Sequence, residues 1–318
     1  MATKDYVPVA GDDWYQRRRE DAEGEFFRKV ADQGPRKGEG GSTRQGIYCL
    51  TADGKLLAYK NAGQAPDVMR EVLKQGLAEW RKLPESRRKP GAVKIEDAGK
   101  LDGRYARTPP PGGLIINVHA RCLDRDATGD LCDAACQKGR GDEASRDHLW
   151  LTEAEWKSLV TAGMKTGDKF PLPPAIATRI CRFHLIDNTR GEPPMWSRDD
   201  VRSREFTLTV EESTSNGTRL RLDGSALVAT NADAAKAERG YDVRLLGYIH
   251  FDAAKKQITR FDIVAVGDHW GEGNYTRGAR TGRTPLGVSF ELVTGKSPAD
   301  RVPPQAAREI QEYLGPSR

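Results

Sequence analysis

From Glu205 to Val293 the chain alternates apolar and polar residues with a period of two. Phe206, Leu208 and Val210 are apolar and Thr207 and Thr209 between them are polar, the pattern of a strand with one buried face. Asn216-Gly217 supplies a hairpin turn ahead of Leu220 and Leu222. Val243–Phe251 and Ile258–Val266 read as a second hairpin around Ala253-Ala254-Lys255-Lys256, and Leu286–Val293 as a last strand. Five antiparallel strands with short turns predict a β-sandwich or partly open barrel over 205–318, with a C-terminal helix from Pro304 to Leu314 covering one end. Upstream, 112–204 reads as a mixed region. It opens with an apolar strand at Leu114–Val118 and carries a capping-box pattern, Thr152-Glu153-Ala154-Glu155, ahead of Trp156, Leu159 and Val160. Ala175–Leu185 fits either a helix or a strand. Residues 84–111 read as a linker in which Pro109-Pro110-Pro111 is stiff and extended.

The first eighty residues carry a different pattern. Asp5–Ala10 reads as a short strand, and Asp21–Gln33 as a helix with Phe26, Phe27 and Val30 on its apolar face. Gly46–Lys60 is two apolar strands joined at Asp53-Gly54, where a type I′ turn would need positive φ at both central residues. A helix follows from Pro66 to about Trp80. Pro66 suits a first helical turn, and Val68, Met69, Val72, Leu73 and Leu77 recur at helical spacing. The order strand, helix, strand, strand, helix over residues 5–80 resembles the second half of thioredoxin-like proteins. The resemblance implies a thioredoxin-like unit at 1–83 and an α+β protein overall. The family's first βα unit, which bears its Cys-x-x-Cys pair, has no counterpart here. Thr43-Arg44-Gln45 stands where the family has its cis-proline. The resemblance therefore carries a fold and no catalytic residue.

Composition narrows the partners. Net charge is +5, from 51 basic and 46 acidic residues that are well mixed, with dense basic runs only at Arg17-Arg18-Arg19 and Arg87-Arg88-Lys89. Nucleic-acid binding wants a one-sided basic face interleaved with aromatics, so no nucleic-acid partner is expected. No apolar run approaches a membrane span, and Val7-Pro8-Val9-Ala10 is too short for a signal-peptide core. The chain as given reads as cytoplasmic, export with a leader removed being the alternative. Five cysteines, an odd number, leave at least one thiol unpaired.

Three segments carry candidate chemistry. The first is His119-x-x-Cys122, then Cys132-x-x-x-Cys136, with His148 beyond. Zinc takes four tetrahedral thiolate and imidazole ligands in pairs close in sequence, so zinc or copper(I) is one reading. A disulfide from Cys122 to Cys132 or Cys136 is another, and idle thiols a third. A thiol oxidoreductase built on Cys132 and Cys136 would need a depressed thiol pKa, which Lys138 and Arg140 would assist. The second segment runs from Cys181 to Trp196. There His184 and Asp187 would orient one another, Arg190 would pair with Glu192, and Trp196 would wall a pocket; a packed turn explains the same residues. The third is Gly267-Asp268-His269-Trp270-Gly271-Glu272-Gly273, which places Asp268, His269 and Glu272 at a sheet edge as metal ligands or as base and orienter. Its alternative is a glycine-rich hairpin loop with Trp270 folded back as a plug. Arg277, Arg280 and Arg283 extend that loop and would attract an anion. Cys49 reads as an inert core thiol.

The first functional expectation is a non-catalytic binding protein, for a metal at the Cys/His cluster or for a small ligand or protein partner on the β domain. The second is a thiol-disulfide oxidoreductase using Cys132 and Cys136. The third is a metal-assisted or acid–base enzyme using His184, Asp268, His269 and Glu272. An unpaired strand edge in the N-terminal unit would allow a homodimer or pairing with a partner chain.

Overall fold

The structure is a computed structural model in which residues 2–38, 42–61, 65–94, 97, 99–132 and 143–315 are described. The chain divides into two units, Met1–Arg107 and Thr108–Arg318.

The first unit contains helices α1 (Ala2–Asp5), α2 (Asp13–Gln16) and α3 (Ala22–Ala31), strands β1 (Ile47–Leu50) and β2 (Leu56–Lys60), and helices α4 (Pro66–Lys82) and α5 (Glu85–Arg88). The strand expected at Asp5–Ala10 is absent: Asp5 ends a helical turn and residues 6–10 have no regular structure. Val7 and Val9 are exposed, so this segment has no sheet to bury them against. The basic run at Arg17 is not one surface. Arg17 pairs with Asp13, Arg18 lies 4.4 Å over the Trp14 ring, and Arg19 is buried against Asp21, the N-cap of α3. The β1–β2 hairpin forms, but with a different turn. The Gly54 amide donates to the Thr51 carbonyl, the Thr51 amide to the Lys55 carbonyl, and only Gly54 has positive φ (82°). This is a type I turn closed by a bulge glycine, which spares Asp53 a left-handed conformation. Helix α4 packs Val72 on the hairpin beside Cys49 and Ala58. Burial pushes the Cys49 thiol above its ordinary value, as a core thiol requires.

The second unit runs β3 (Leu114–Cys122), a small hairpin of β4 (Asp124–Arg125) and β5 (Leu131–Cys132), β6 (Asp147–Leu151), α6 (Glu153–Lys157), β7 (Lys169–Pro171) and α7 (Pro174–Arg179). Helix α7 continues as a π-helical turn, Ile180–His184. Then follow β8 (Val201–Thr214), β9 (Gly217–Ala229), β10 (Gly240–Asp252), β11 (Gln257–Trp270), β12 (Thr284–Val293) and α8 (Ile310–Leu314). Eight strands form one antiparallel sheet in the order β6-β3-β12-β11-β10-β9-β8-β7. The expected break near residue 204 therefore does not occur. Strand β3 pairs with β12, Cys122 opposite Leu286 and Ile115 opposite Val293, so the mixed region and the β region share a single sheet rather than a two-sheet sandwich.

One face of this sheet is the core. Phe206, Leu208, Leu222, Val243, Phe261, Ile263, Val288 and Ile116 line it, and Ile176, Ile180 and Leu185 of the α7 segment pack into the same cluster. Full burial of each such side chain stabilises by about 1.5–3 kcal/mol, so the α7 segment is fixed mainly by apolar contact. The predicted capping box is present: Thr152 accepts from the Glu155 amide and Glu155 accepts from the Thr152 amide. On the opposite face Leu246 and Val264 remain half exposed.

Candidate functional site

The α7 segment is buried along nearly its whole length, yet it carries Arg179, Arg182 and His184. Buried charges are costly unless their donors are used, and here they are used. Arg179 donates to the carbonyls of Tyr313 (2.7 Å) and Trp150 (3.1 Å) and forms a fork with Glu155 at 2.8 and 2.6 Å. Arg182 donates to the Trp196 carbonyl (2.9 Å) and pairs with Glu312. His184 Nε2 lies 3.0 Å from the Tyr313 hydroxyl, which also accepts from the Trp150 amide at 3.2 Å, and Asp147 stands 3.6 Å from Nδ1. These groups dock α8 onto β6 and α7. His184 therefore belongs to a docking network with Asp147 and Tyr313.

A second polar cluster forms where the chain leaves the π-helical turn. Asp187 is 4% exposed, and both its oxygens are engaged. Oδ1 accepts from the Thr189 amide (3.0 Å) and hydroxyl (2.7 Å), and Oδ2 accepts from Arg190 Nε at 2.9 Å. Arg190 then donates to the carbonyls of Thr276 and, at 3.3 Å, Gly271. Gly191 lies so close to the Tyr275 carbonyl that a Cβ there would fall 2.2 Å from the oxygen. The loop after α7 and the loop after β11 are thus tied together at one end of the sheet. His269, 6% exposed and opposite Tyr241 in the β10–β11 register, lies within the field of Asp187. Its ring meets that of Tyr241 edge-on at 6.1 Å. Burial lowers the His269 pKa; Asp187 opposes that, Arg190, Arg239 and Arg280 reinforce it, and the imidazole is held at about 4. Burial works to raise Asp187, but the hydrogen bonds from Thr189 and the charge of Arg190 outweigh it and hold the carboxyl below its ordinary value. At neutral pH the pair is a neutral imidazole beside a carboxylate.

Comparison with protein-family models, with curated proteins and with solved structures finds no match to this chain. The site is therefore read from its own geometry.

The nominated residues separate by strand alternation. The third segment is not a loop up to Gly271, because β11 continues through Trp270. Successive residues of a strand face opposite sides, so His269 points inward while Asp268 is on the outer side, 43% exposed and 3.4 Å from Arg125. Glu272 is exposed and accepts from the amides of Gly278 and Ala279, which shapes the arginine-bearing loop. Asp268 and Glu272 thus do not join His269. Trp270 does fold back: its ring lies against Gly240, and its Nε1 donates to the Ala237 carbonyl at 2.9 Å. The expected Arg190–Glu192 pair is replaced by Arg190–Asp187, and Glu192 pairs with Arg308. Trp196 is fully buried, its Nε1 donating to the Leu185 carbonyl, and it walls the core.

The metal cluster meets the same rule. A spacing of three brings His119 and Cys122 together only if the chain turns, and β3 is extended through both. Cys122 lies on the core face with its sulfur 3.5 Å from the Thr189 hydroxyl. His119 lies on the other face with Nδ1 3.2 Å from the Ser145 carbonyl. His148, opposite Asn117, is buried on that second face. Cys132 pairs with Asp124 in the small hairpin, and Cys136 lies outside the described residues. Among the described residues no three His, Cys, Asp or Glu side chains gather as metal ligands, and Cys122 is a free thiol. Burial, then Asp187, push its pKa up, opposite to the direction a thiolate nucleophile needs. No helix among the described residues is long and apolar enough to cross a membrane.

Sequence reasoning missed Arg239. It is 7% exposed, stacks 4.0 Å over the Trp196 ring, and precedes β10 directly. Its position before Gly240-Tyr241, on the same side as inward-facing Tyr241, was the available signal.

Proposed function

We propose that the protein is a non-catalytic binding protein whose small-ligand site is the polar cap formed by Asp187, Thr189, Arg190, Arg239 and His269. The observation that carries this reading is the lock between Asp187 and Arg190. It commits both carboxylate oxygens and ties the Gly271 and Thr276 carbonyls to the loop after α7. A site fixed in advance loses little freedom on binding, which favours affinity. The same contacts hold Asp187 as an ion-paired carboxylate whose place is fixed by Thr189 and Arg190. A thiol oxidoreductase would rest on Cys132 and Cys136, and Cys136 lies outside the described residues.

The test is a thermal-shift screen of the full chain against a panel of anionic, neutral and cationic metabolites, repeated with Thr189→Val. Saturable stabilisation by at least one compound, weakened in T189V, supports the reading. No saturable response to any class contradicts it, as does insulin reduction by the wild-type protein at the rate of a dithiol enzyme.

An acid–base enzyme is the second reading, favoured by the juxtaposition of Asp187 and neutral His269. It predicts chemical turnover of a bound panel compound that is lost in His269→Gln. The binding reading predicts recovery of that compound unchanged.

A further inference from the structure

The cap carries more buried positive charge than it neutralises. Arg190 is matched by Asp187 at 2.9 Å. Arg280 gives its donors to two carbonyls, Leu123 (2.6 Å) and Pro285 (2.7 Å), which satisfy hydrogen bonds but carry no net charge. Arg239 is the sharper case. The residue is 7% exposed with its guanidinium over Trp196, and Nη1 is buried without a hydrogen-bond partner. The carboxylate of Asp200 acts on it only at a distance, being spent on the Ser197 amide (2.8 Å) and held 3.8 Å from Arg202. A buried guanidinium with an unspent donor is expensive, because it has lost water without gaining a partner.

Position makes this donor useful. A Cβ on Gly271 would fall 2.8 Å from Arg239 Cα, and the Gly271 carbonyl accepts from Arg190. Arg239 thus stands at the same turn that the Asp187–Arg190 lock holds in place, beside neutral His269. Trp196 holds the guanidinium by a cation–π contact, Cζ lying 4.0 Å from the ring centroid. A planar, oriented guanidinium with a free N–H is suited to an oxyanion.

We infer that Arg239 binds a small oxyanion, a carboxylate or phosphate group, in the cap beside His269. The inference rests on the binding reading above and names its ligand class.

The experiment titrates the full chain with sodium acetate and with inorganic phosphate, each against sodium chloride at equal ionic strength, following the thermal midpoint. Phosphate also raises midpoints without binding, by exclusion from the protein surface, and that part grows linearly with concentration. The inference predicts a hyperbolic, saturable rise for acetate or phosphate over chloride. In Arg239→Met the saturable part disappears and the linear part stays. Arg239→Lys keeps the charge but not the fork, and weakens the response about tenfold. Arg244→Gln, on the exposed outer face, behaves as wild type. Wild-type midpoints that follow chloride for both anions overturn the inference, as does an unchanged saturable response in R239M. If R239M fails to fold, the wild-type titration and R239K decide alone. Anion responses absent while a neutral or cationic panel compound binds would sink the oxyanion and leave the binding reading standing.

Discussion

Replacing Arg190 by methionine tests whether the cap is a built structure. The substitution keeps a long side chain and removes the guanidinium. Asp187 Oδ2 then loses its 2.9 Å donor, and the carbonyls of Thr276 and Gly271 lose theirs. Both side chains of the pair are 4% exposed, so water cannot readily take over. Removing one partner of a buried ion pair costs about 3–5 kcal/mol, because the other charge is left uncompensated. The contrasting case is Lys29–Glu25 on α3, where both side chains are more than half exposed; breaking it should cost about 0–1 kcal/mol. The assay is urea unfolding of wild type, R190M, Asp187→Asn and the double variant, followed by tryptophan fluorescence. The double variant removes charge and partner together, so it should be less destabilised than the two singles added, with a coupling of about 0.5–3 kcal/mol. An R190M loss below about 1 kcal/mol, in the range of an exposed pair, would refute the buried lock.

Three further outcomes follow from the same contacts. The folded His269 pKa of about 4 lies below the ordinary 6.5, so between these values the unfolded chain binds a proton that the native state does not. Stability contributed by His269 is therefore full above about pH 6.5 and lost as pH falls toward 4; about 2 kcal/mol should go between pH 7 and 5, and His269→Gln should flatten that slope in urea titrations at the two pH values. Tyr313→Phe removes the hydroxyl shared by His184 and the Trp150 amide and should cost about 1–3 kcal/mol by chemical denaturation; a smaller loss would mean that α8 docks by apolar contact alone. Cys122 should alkylate with iodoacetamide more slowly at pH 7.5 than a free cysteine in a peptide, since its thiol is held up by burial; a faster rate, read by mass spectrometry of the modified peptide, would contradict its burial on the core face.

What could be read from the sequence was local. The alternation at Phe206–Val210, the β8–β9 hairpin and the capping box at Thr152 each depend on residues a few positions apart, and each appears in the structure, although the hairpin turns at 215–216 and Gly217, expected in the turn, opens β9. Pairings between distant segments were not legible. Nothing near Leu114–Cys122 announces a partner at Thr284–Val293, and missing that pairing divided one sheet into two regions. Side-chain direction was the second loss. His119 and Cys122, like Asp268 and His269, look like clusters when written in a line, and an extended backbone sends their side chains to opposite faces. The buried arginines were the third. Arg179, Arg182 and Arg239 sit where polarity predicts solvent, and only the carbonyls, carboxylates and ring that receive them, contributed by other segments, explain their burial.

Hydrogen exchange at the Thr189 amide tests the central claim most directly. That N–H donates to Asp187 Oδ1 inside the lock joining the two loops. The account predicts protection approaching that of the β10–β11 amides, such as Val243, and its collapse in R190M. Exchange as fast in the wild type as at the exposed Thr128 turn would contradict a preformed cap.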